Sequence, residues 1–184
     1  YEESAEGEVC IQVLSSTGKA VAKYFWYDVE DELYGWLDAN DDPIEPGDVV
    51  FQSGDGLWVT GVNGWKMVFP GEVGFSDVSK ALRNGATPTG NMMAVEKDLT
   101  TLTVGGYTDG AEGDVCIQVL SATGKAVGKY FWYDVEDDEL YGWLDANDNL
   151  VEEGDVVFQP GDGLWVVGKN GLTLNVVAPS KPNE

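Results

Sequence analysis

EVCIQVLSSTGKAVAKYFWYDVEDELYGWLDANDDPIEPGDVVFQSGDGLWVTGVNG, residues 8–64, recurs almost letter for letter as residues 114–171. The two stretches differ at ten of 57 aligned positions, and the second stretch carries one extra acidic residue, Asp138. A sequence repeated with so few changes indicates two copies of one folding module. Because the differences are mostly conservative or lie in turns, we expect both copies to form the same β-unit.

Alternating apolar residues within each copy predict β-strands. Val9, Ile11 and Val13 are separated by single residues, a period of two that places their side chains on one face of a strand. Residues 24–27 (YFWY) are aromatic on both faces, which predicts a central strand. Turn clusters of Asp, Asn, Gly and Pro separate roughly seven short strands per copy. The sequence therefore predicts an all-β fold of two tandem homologous β-sandwich or barrel-like units.

A hairpin is predicted near the end of each copy. Residues 57–60 and 65–69 flank the dipeptide Asn63-Gly64, which suits a type I′ turn between antiparallel strands. The second copy retains the dipeptide at residues 170–171. We therefore expect the strands on either side of this dipeptide to pair with each other in both copies.

Two further segments need a separate interpretation. The acidic residues 29–32 are predicted to form an exposed loop, because the second copy accommodates Asp138 there and an insertion within a paired strand would reverse the facing of every later side chain. Residues 76–85 combine good helix formers with a glycine stop, so both a short helix and a strand are considered. The family resemblance described below favours the strand.

Unequal lengths of chain precede the two copies. Residues 72–113 precede the second copy, whereas YEESAEG precedes the first, and Tyr1 aligns with Tyr107. We expect the intervening segment to open the second unit, because the last strand runs out into a Pro-rich tail. The predicted domains are residues 1–71, a first unit that lacks its leading strands, and residues 72–184, a complete second unit with that tail. The open strand edge of the first unit predicts self-association.

The charge of the chain restricts its partners. There are 33 acidic and 10 basic residues in 184, which gives a net charge of −23. Such a surface repels phosphate backbones and anionic headgroups, so nucleic acid is not an expected partner. No apolar stretch approaches the ~20 residues that a spanning helix needs, so membrane insertion is not expected. Histidine is absent from the sequence, which removes the commonest general base and zinc ligand and predicts that the protein is not an enzyme.

The two cysteines occupy equivalent positions in the two copies. Cys10 and Cys116 each lie within an alternating strand pattern, where a cysteine commonly serves as a small buried hydrophobic residue. A disulfide between them would require their α-carbons to lie within about 7 Å. Nothing local indicates that geometry, so we predict two buried free thiols.

An alternating pattern of Asp and Asn residues suggests a possible metal site. The pattern comprises Asp38, Asn40 and Asp42 in the first copy, and Asp145, Asn147 and Asn149 in the second. This spacing opens many calcium loops, but Pro43 and Val49 stand where an EF-hand has glycine and a bidentate glutamate. Turns stabilised by Asx hydrogen bonds explain the pattern without a cofactor. Calcium bound by this acidic rim is the alternative.

The tryptophans suggest a possible ligand site. Trp36 follows a glycine beside the acidic loop and is predicted to be partly exposed, and Trp143 is its equivalent in the second copy. An exposed indole flanked by carboxylates can stack on a sugar ring, which makes these two residues candidate ligand contacts. Trp58 lies within an apolar run and is predicted to be a core residue.

Three motifs carry a family resemblance. In the first copy they are Trp26-Tyr27-Asp28, Gly35-Trp36-x-Asp38 and Gly54-x-Gly56-x-Trp58-Val59. The second copy completes the last motif with Pro160, where the first copy has Ser53. This pattern resembles a tandem module of secreted and surface-attached bacterial proteins. The resemblance implies an exported, repeat-built and adhesive β-domain at the cell surface or outside the cell, and it assigns no catalytic or binding residue.

Three functional classes follow from these observations. The leading hypothesis is a non-enzymatic extracellular interaction or adhesion module whose partner is a protein or a glycan. A carbohydrate-binding module that uses exposed tryptophans and acidic loops is the second. An acid-pair glycosidase is the third, because pairs of carboxylates are available for that chemistry, although 33 acidic residues bring some pairs together by chance.

Overall fold

All long elements of the protein are β-strands. The structure, a computed structural model, describes residues 5–15, 17–29, 33–51, 55–61, 67, 76–90, 95–121, 123–136 and 140–178. Within these ranges the only helical element is a 3₁₀ turn at Leu99–Thr101, and no helix is long and apolar enough to cross a membrane. The predicted all-β fold class is therefore confirmed. The chain divides into two compact units, Tyr1–Gly71 and Glu72–Glu184, and each is described by itself.

The first unit contains one antiparallel sheet. Its strands are β1 (Ala5–Leu14), β2 (Ala20–Val29), β3 (Leu33–Leu37) and β4 (Gly56–Thr60), in the spatial order β3-β2-β1-β4. The doubly aromatic strand β2 lies inside the sheet, as its sequence predicts. Within the described residues, β4 forms one edge of this sheet.

The second unit contains ten strands. They are β5 (Val78–Ala81), β6 (Gly85–Gly90), β7 (Lys97–Asp98), β8 (Leu102–Gly105), β9 (Ala111–Leu120), β10 (Ala126–Val135), β11 (Leu140–Leu144), β12 (Val157–Phe158), β13 (Gly163–Gly168) and β14 (Thr173–Val176). They form a five-stranded sheet of order β11-β10-β9-β13-β6, a three-stranded sheet of order β5-β14-β8, and the pair β12-β7. The order β11-β10-β9-β13 repeats the order of the first unit.

Equivalent strands also pair in the same register. Trp26 lies opposite Trp36 across β2 and β3, and Trp132 lies opposite Trp143 across β10 and β11. Strand β2 ends at Val29 and β3 begins at Leu33, whereas β10 ends at Val135 and β11 begins at Leu140. Asp138 itself lies outside the described residues, and its predicted exposure stays a prediction.

The segment that precedes the second copy contributes strands to the second unit. Strand β6 pairs with β13, β5 and β8 lie on either side of β14, and β7 pairs with β12. Residues 76–85, for which helix and strand were both considered, form β5 at Val78–Ala81. The strand is favoured because pairing with β14 satisfies the backbone hydrogen bonds of β5, whereas a short isolated helix is only marginally stable.

The predicted hairpin is wrong in the second copy. Strands β13 and β14 follow one another around residues 170–171, but they belong to different sheets. The turn carries the chain from one sheet to the other, where Leu174 and Val176 of β14 point into the core. In the first copy, the Asn63-Gly64 dipeptide lies outside the described residues. A turn does lie at residues 170–171, but only Gly171 has a positive φ, so it is not the predicted type I′ turn and does not close a hairpin.

One core joins the two main sheets of the second unit. Trp132, Trp143, Ile117, Leu164 and Val166 come from the larger sheet, and Leu174, Val176, Leu102 and Val104 come from the smaller one. Side chains from two facing sheets that share a core form a β-sandwich-like arrangement. The segment that precedes the second copy supplies five of the core residues, namely Leu82, Leu99, Leu102, Val104 and Ala111.

Candidate functional site

The Asp38 turn is closed by its own hydrogen bonds. The Asp38 carboxylate accepts hydrogen bonds from the backbone N–H of Asn40 at 2.7 Å and of Asp42 at 3.0 Å. The Asn40 side-chain amide donates to the second carboxylate oxygen at 3.1 Å. The two backbone hydrogen bonds are the main reason that the pKa of Asp38 lies below its usual value.

The second copy repeats this turn. The Asp145 carboxylate accepts from the backbone N–H of Asn147 at 2.8 Å and of Asn149 at 2.9 Å, and the Asn149 side-chain amide adds contacts at 3.2 and 3.3 Å. The backbone hydrogen bond from Asn149, followed by that from Asn147, lowers the pKa of Asp145 to about 2. The predicted Asx turns are therefore present in both copies.

The candidate calcium ligands thus have an intramolecular role. In each copy the aspartate oxygens that a cation would take already accept N–H donors from the same turn. Within the described ranges, no group of three or more His, Cys, Asp and Glu side chains is placed to hold a metal ion. Calcium binding stays a prediction that a melting experiment can test.

The two candidate sugar-stacking tryptophans differ in burial. Trp143 is 1% exposed, its indole N–H donates to the Leu102 carbonyl at 2.8 Å, and its ring packs edge-to-face on Trp132 at 5.2 Å. Buried in this way, Trp143 presents no ring face to a ligand, which is contrary to its candidate role as a ligand contact. Trp36 keeps the edge-to-face contact, with Trp26 at 5.4 Å, but is only half-buried. Trp143 is more buried than Trp36 because strand β8, which begins at Leu102, contacts its indole.

Asp98 connects two parts of the second unit, namely the segment that precedes the second copy and the loop at Gly154. Its carboxylate accepts from the backbone N–H of Thr100 at 2.8 Å, from the Thr100 hydroxyl at 2.6 Å and from the backbone N–H of Gly154 at 2.6 Å. Partial burial is the largest single influence on the pKa of Asp98 and raises it, but the three hydrogen bonds together lower it below its usual value. Asp98 is thus a structural residue that caps the 3₁₀ turn and ties it to a neighbouring loop.

Strand β4 carries an exposed apolar surface. Val59 is 46% exposed and Trp58 is 39% exposed, whereas Val166, the equivalent of Val59 on β13, is 1% exposed. Val59 and Val166 lie opposite equivalent isoleucines, Ile11 and Ile117, both of which are buried. The difference therefore arises from the other neighbours of β13, namely β6 beside it and the core side chains of the smaller sheet. We use the name open edge for the side of β4 that no described strand pairs with, together with the exposed side chains of Trp58 and Val59.

The open edge is the candidate functional site of the described residues. An unpaired strand presents backbone N–H and C=O groups to a partner strand, and exposed apolar side chains add area that association removes from water. Sequence reasoning placed Trp58 in the core because its neighbours are apolar. The unequal length of chain before the two copies predicted an open edge in the first unit, but it did not identify the strand that forms this edge.

Comparisons of the chain with models of protein families, with curated proteins and with solved structures found no match. The resemblance to tandem modules of bacterial surface proteins therefore stays an interpretation of the sequence motifs.

Proposed function

We propose that this chain is a non-enzymatic interaction or adhesion module built from two tandem homologous β-sandwich-like units and exposed at the cell surface or outside the cell. The open edge of β4 is the observation that carries the proposal. Val59 and Trp58 are exposed on β4, whereas on the near-identical β13 Val166 is buried and Trp165 is half-buried. An apolar sheet edge that no described strand covers favours association with another strand.

Other features support the same function. The two copies repeat strand order and register, so both units share one scaffold. The acidic turns are closed by internal hydrogen bonds, and a net charge of −23 disfavours nucleic acid and anionic lipid as partners. The motif resemblance supports an extracellular or surface location.

An adhesion assay tests this function. Beads that carry the full chain are placed on surfaces coated with the same chain, with extracellular proteins or with glycans, and their retention under flow is measured. We expect retention on at least one surface and about a tenfold loss with Val59→Asp, since a carboxylate at the edge opposes apolar burial. Val50→Asp is the matched control, because Val50 is 66% exposed outside any strand. Equal retention for both variants would contradict the proposal.

Carbohydrate binding is a second candidate, favoured by the exposure of Trp58. An indole that is 39% exposed can offer part of its ring face to a sugar, which Trp143 cannot. Titration of the full chain with oligosaccharides should then change tryptophan emission, and Trp58→Ala should remove most of that change. Trp36→Ala is the matched comparison, because Trp36 is half-buried and its equivalent in the second unit, Trp143, is a core residue. No emission change with any oligosaccharide would exclude this candidate.

A further inference from the structure

Strands β4 and β13 are nearly the same strand in two different settings. Residues 56–60 read GLWVT and residues 163–167 read GLWVV, so Thr60 is the only difference. Both strands pair with the equivalent long strand of their own unit in the same register. On its other side β13 holds β6, whereas no described residue lies beside β4 in that position.

The contact between β6 and β13 is closely packed. The six residues of β6 pair antiparallel with the six of β13, from Gly163 opposite Gly90 to Gly168 opposite Gly85. Thr87 lies opposite Val166 and Thr89 opposite Leu164, and these threonines are only 2% and 5% exposed. The apolar groups that they cover on β13 also occur on β4.

Strand β6 also completes the sheet. It is the last strand, and Pro88 lies at its centre opposite Trp165. Proline has no N–H to donate, so it is tolerated at a sheet edge and opposes the addition of another strand. A strand of this kind therefore satisfies its neighbour without creating a new open edge.

The segment around β6 brings apolar cover as well as backbone pairing. Leu82 lies so close to Gly168 that a Cβ atom added there would lie 2.8 Å from a Leu82 methyl group. The first copy keeps glycine at the equivalent position, Gly61, where, among the described residues, an added Cβ would meet Val9 at 3.6 Å. The described part of the first unit thus leaves room for a leucine of this kind. Leu102 in the same segment accepts the hydrogen bond from Trp143.

We propose that the open edge of β4 is a docking site for a β6-type strand, donated by a segment of the same kind as residues 76–106 in a further repeat. This proposal rests on the proposed interaction function and specifies its partner. The donated strand pairs with residues 56–60, and its leucines cover Val59 and Trp36 as Leu82, Leu99, Leu102 and Val104 cover the second unit.

A β6-type strand fits this edge better than the β4 strand of a second molecule. Two β4 strands could exchange backbone hydrogen bonds, but they would bring no counterparts of Leu82, Leu99 and Leu102 to cover Trp36. They would also leave the glycine space at Gly61 empty. The β6-type segment supplies both groups of contacts in a geometry that the second unit already forms.

A synthetic peptide of residues 76–106, added to the full chain, tests the proposal. We expect one peptide to bind per chain and to slow amide hydrogen exchange at residues 56–60 by about tenfold or more, because pairing closes the open edge. Tryptophan emission should shift to shorter wavelength as Trp58 and Trp36 lose contact with water. No slowing at residues 56–60 at any peptide concentration would overturn the proposal.

Matched variants identify the contacts. A peptide with Thr87→Asp and Thr89→Asp should lose binding, because it places two carboxylates against the apolar face of the sheet. Val59→Asp in the full chain should also abolish protection, whereas Val50→Asp and Thr60→Val should retain it. Protection confined to residues 163–168, or equal protection by a scrambled peptide, would refute docking at β4.

A fusion provides an independent test in the full chain. Joining an added copy of residues 72–106 directly to Tyr1 reproduces the natural junction before Tyr107. We expect residues 56–60 to become protected without added peptide, and an unchanged exchange pattern would contradict docking. Loss of adhesion with Val59→Asp but no peptide binding would refute only the docking partner, whereas peptide binding without adhesion would refute only the proposed function.

Discussion

Strands β4 and β13 have nearly the same sequence but different surroundings. Val59 on β4 is 46% exposed and Val166 on β13 is 1% exposed, although both lie opposite a buried isoleucine. Strand β6 and the sheet that contains β14 account for the difference, because they supply the neighbours that β13 has. Burial of a strand is thus set by the segments that reach it, and a repeated sequence does not guarantee a repeated environment.

The largest expected difference between the two units concerns their tryptophans. Trp143→Ala should lower the free energy of unfolding of the second unit by about 3–5 kcal/mol, because it opens a large cavity and removes the partner of the Leu102 carbonyl. Trp36→Ala should cost the first unit less than about half of that, since Trp36 is half-buried. Denaturant unfolding, followed by amide exchange in β9 and β1, distinguishes the units. Equal costs would show that the two environments are energetically alike.

The reactivity of the two thiols gives the next largest difference. Cys10 and Cys116 are both buried free thiols, as the strand pattern predicts, and burial raises the pKa of each. Labelling under native conditions therefore depends on local opening, which the open edge makes easier in the first unit. We expect Cys10 to react about tenfold faster than Cys116. The variants Cys10→Ala and Cys116→Ala assign the two rates, and faster labelling of Cys116 would reverse the assumed order of stability.

A smaller effect is expected from the two acidic turns at low pH. Hydrogen bonds lower the pKa of folded Asp145 to about 2 from 3.8, so its stabilising contribution is present above pH 3.8 and is lost as the pH falls towards 2. Asp145→Ala should lower the melting temperature by a few degrees at neutral pH, with the difference from the unmodified chain disappearing near pH 2. Asp38→Ala should act in the same direction on the first unit. A constant difference from pH 7 to pH 2 would contradict this cause.

Calcium is expected to have the smallest effect. Sodium chloride should raise the melting temperature by screening a net charge of −23, and calcium at matched ionic strength should do no more. If a calcium site does exist, the first unit should bind better, because its turn has Asp42 where the second has Asn149. A rise of many degrees specific to calcium would show that the Asp38 and Asp145 turns open to hold the ion.

Local features of the fold could be predicted from the sequence, whereas the partners of individual strands could not. Alternation identified the strands around Ile11, and turn residues marked the reversals. The Asn170-Gly171 turn was placed correctly, but its flanking strands enter different sheets, since β14 forms backbone hydrogen bonds with β5 on one side and β8 on the other. The burial of Trp143 depends on Leu102, which lies 41 residues earlier and carries no local signal of that contact.

The order in which the chain is synthesised adds a consequence to the pairing of β6 with β13. Residues 85–90 leave the ribosome after residues 56–60 but well before residues 163–168, so β4 is the first acceptor that β6 meets. We therefore expect a nascent chain to pair β6 with β4 transiently and to release it when β13 emerges. The rate of translation between the copies should then affect the yield of correctly folded protein.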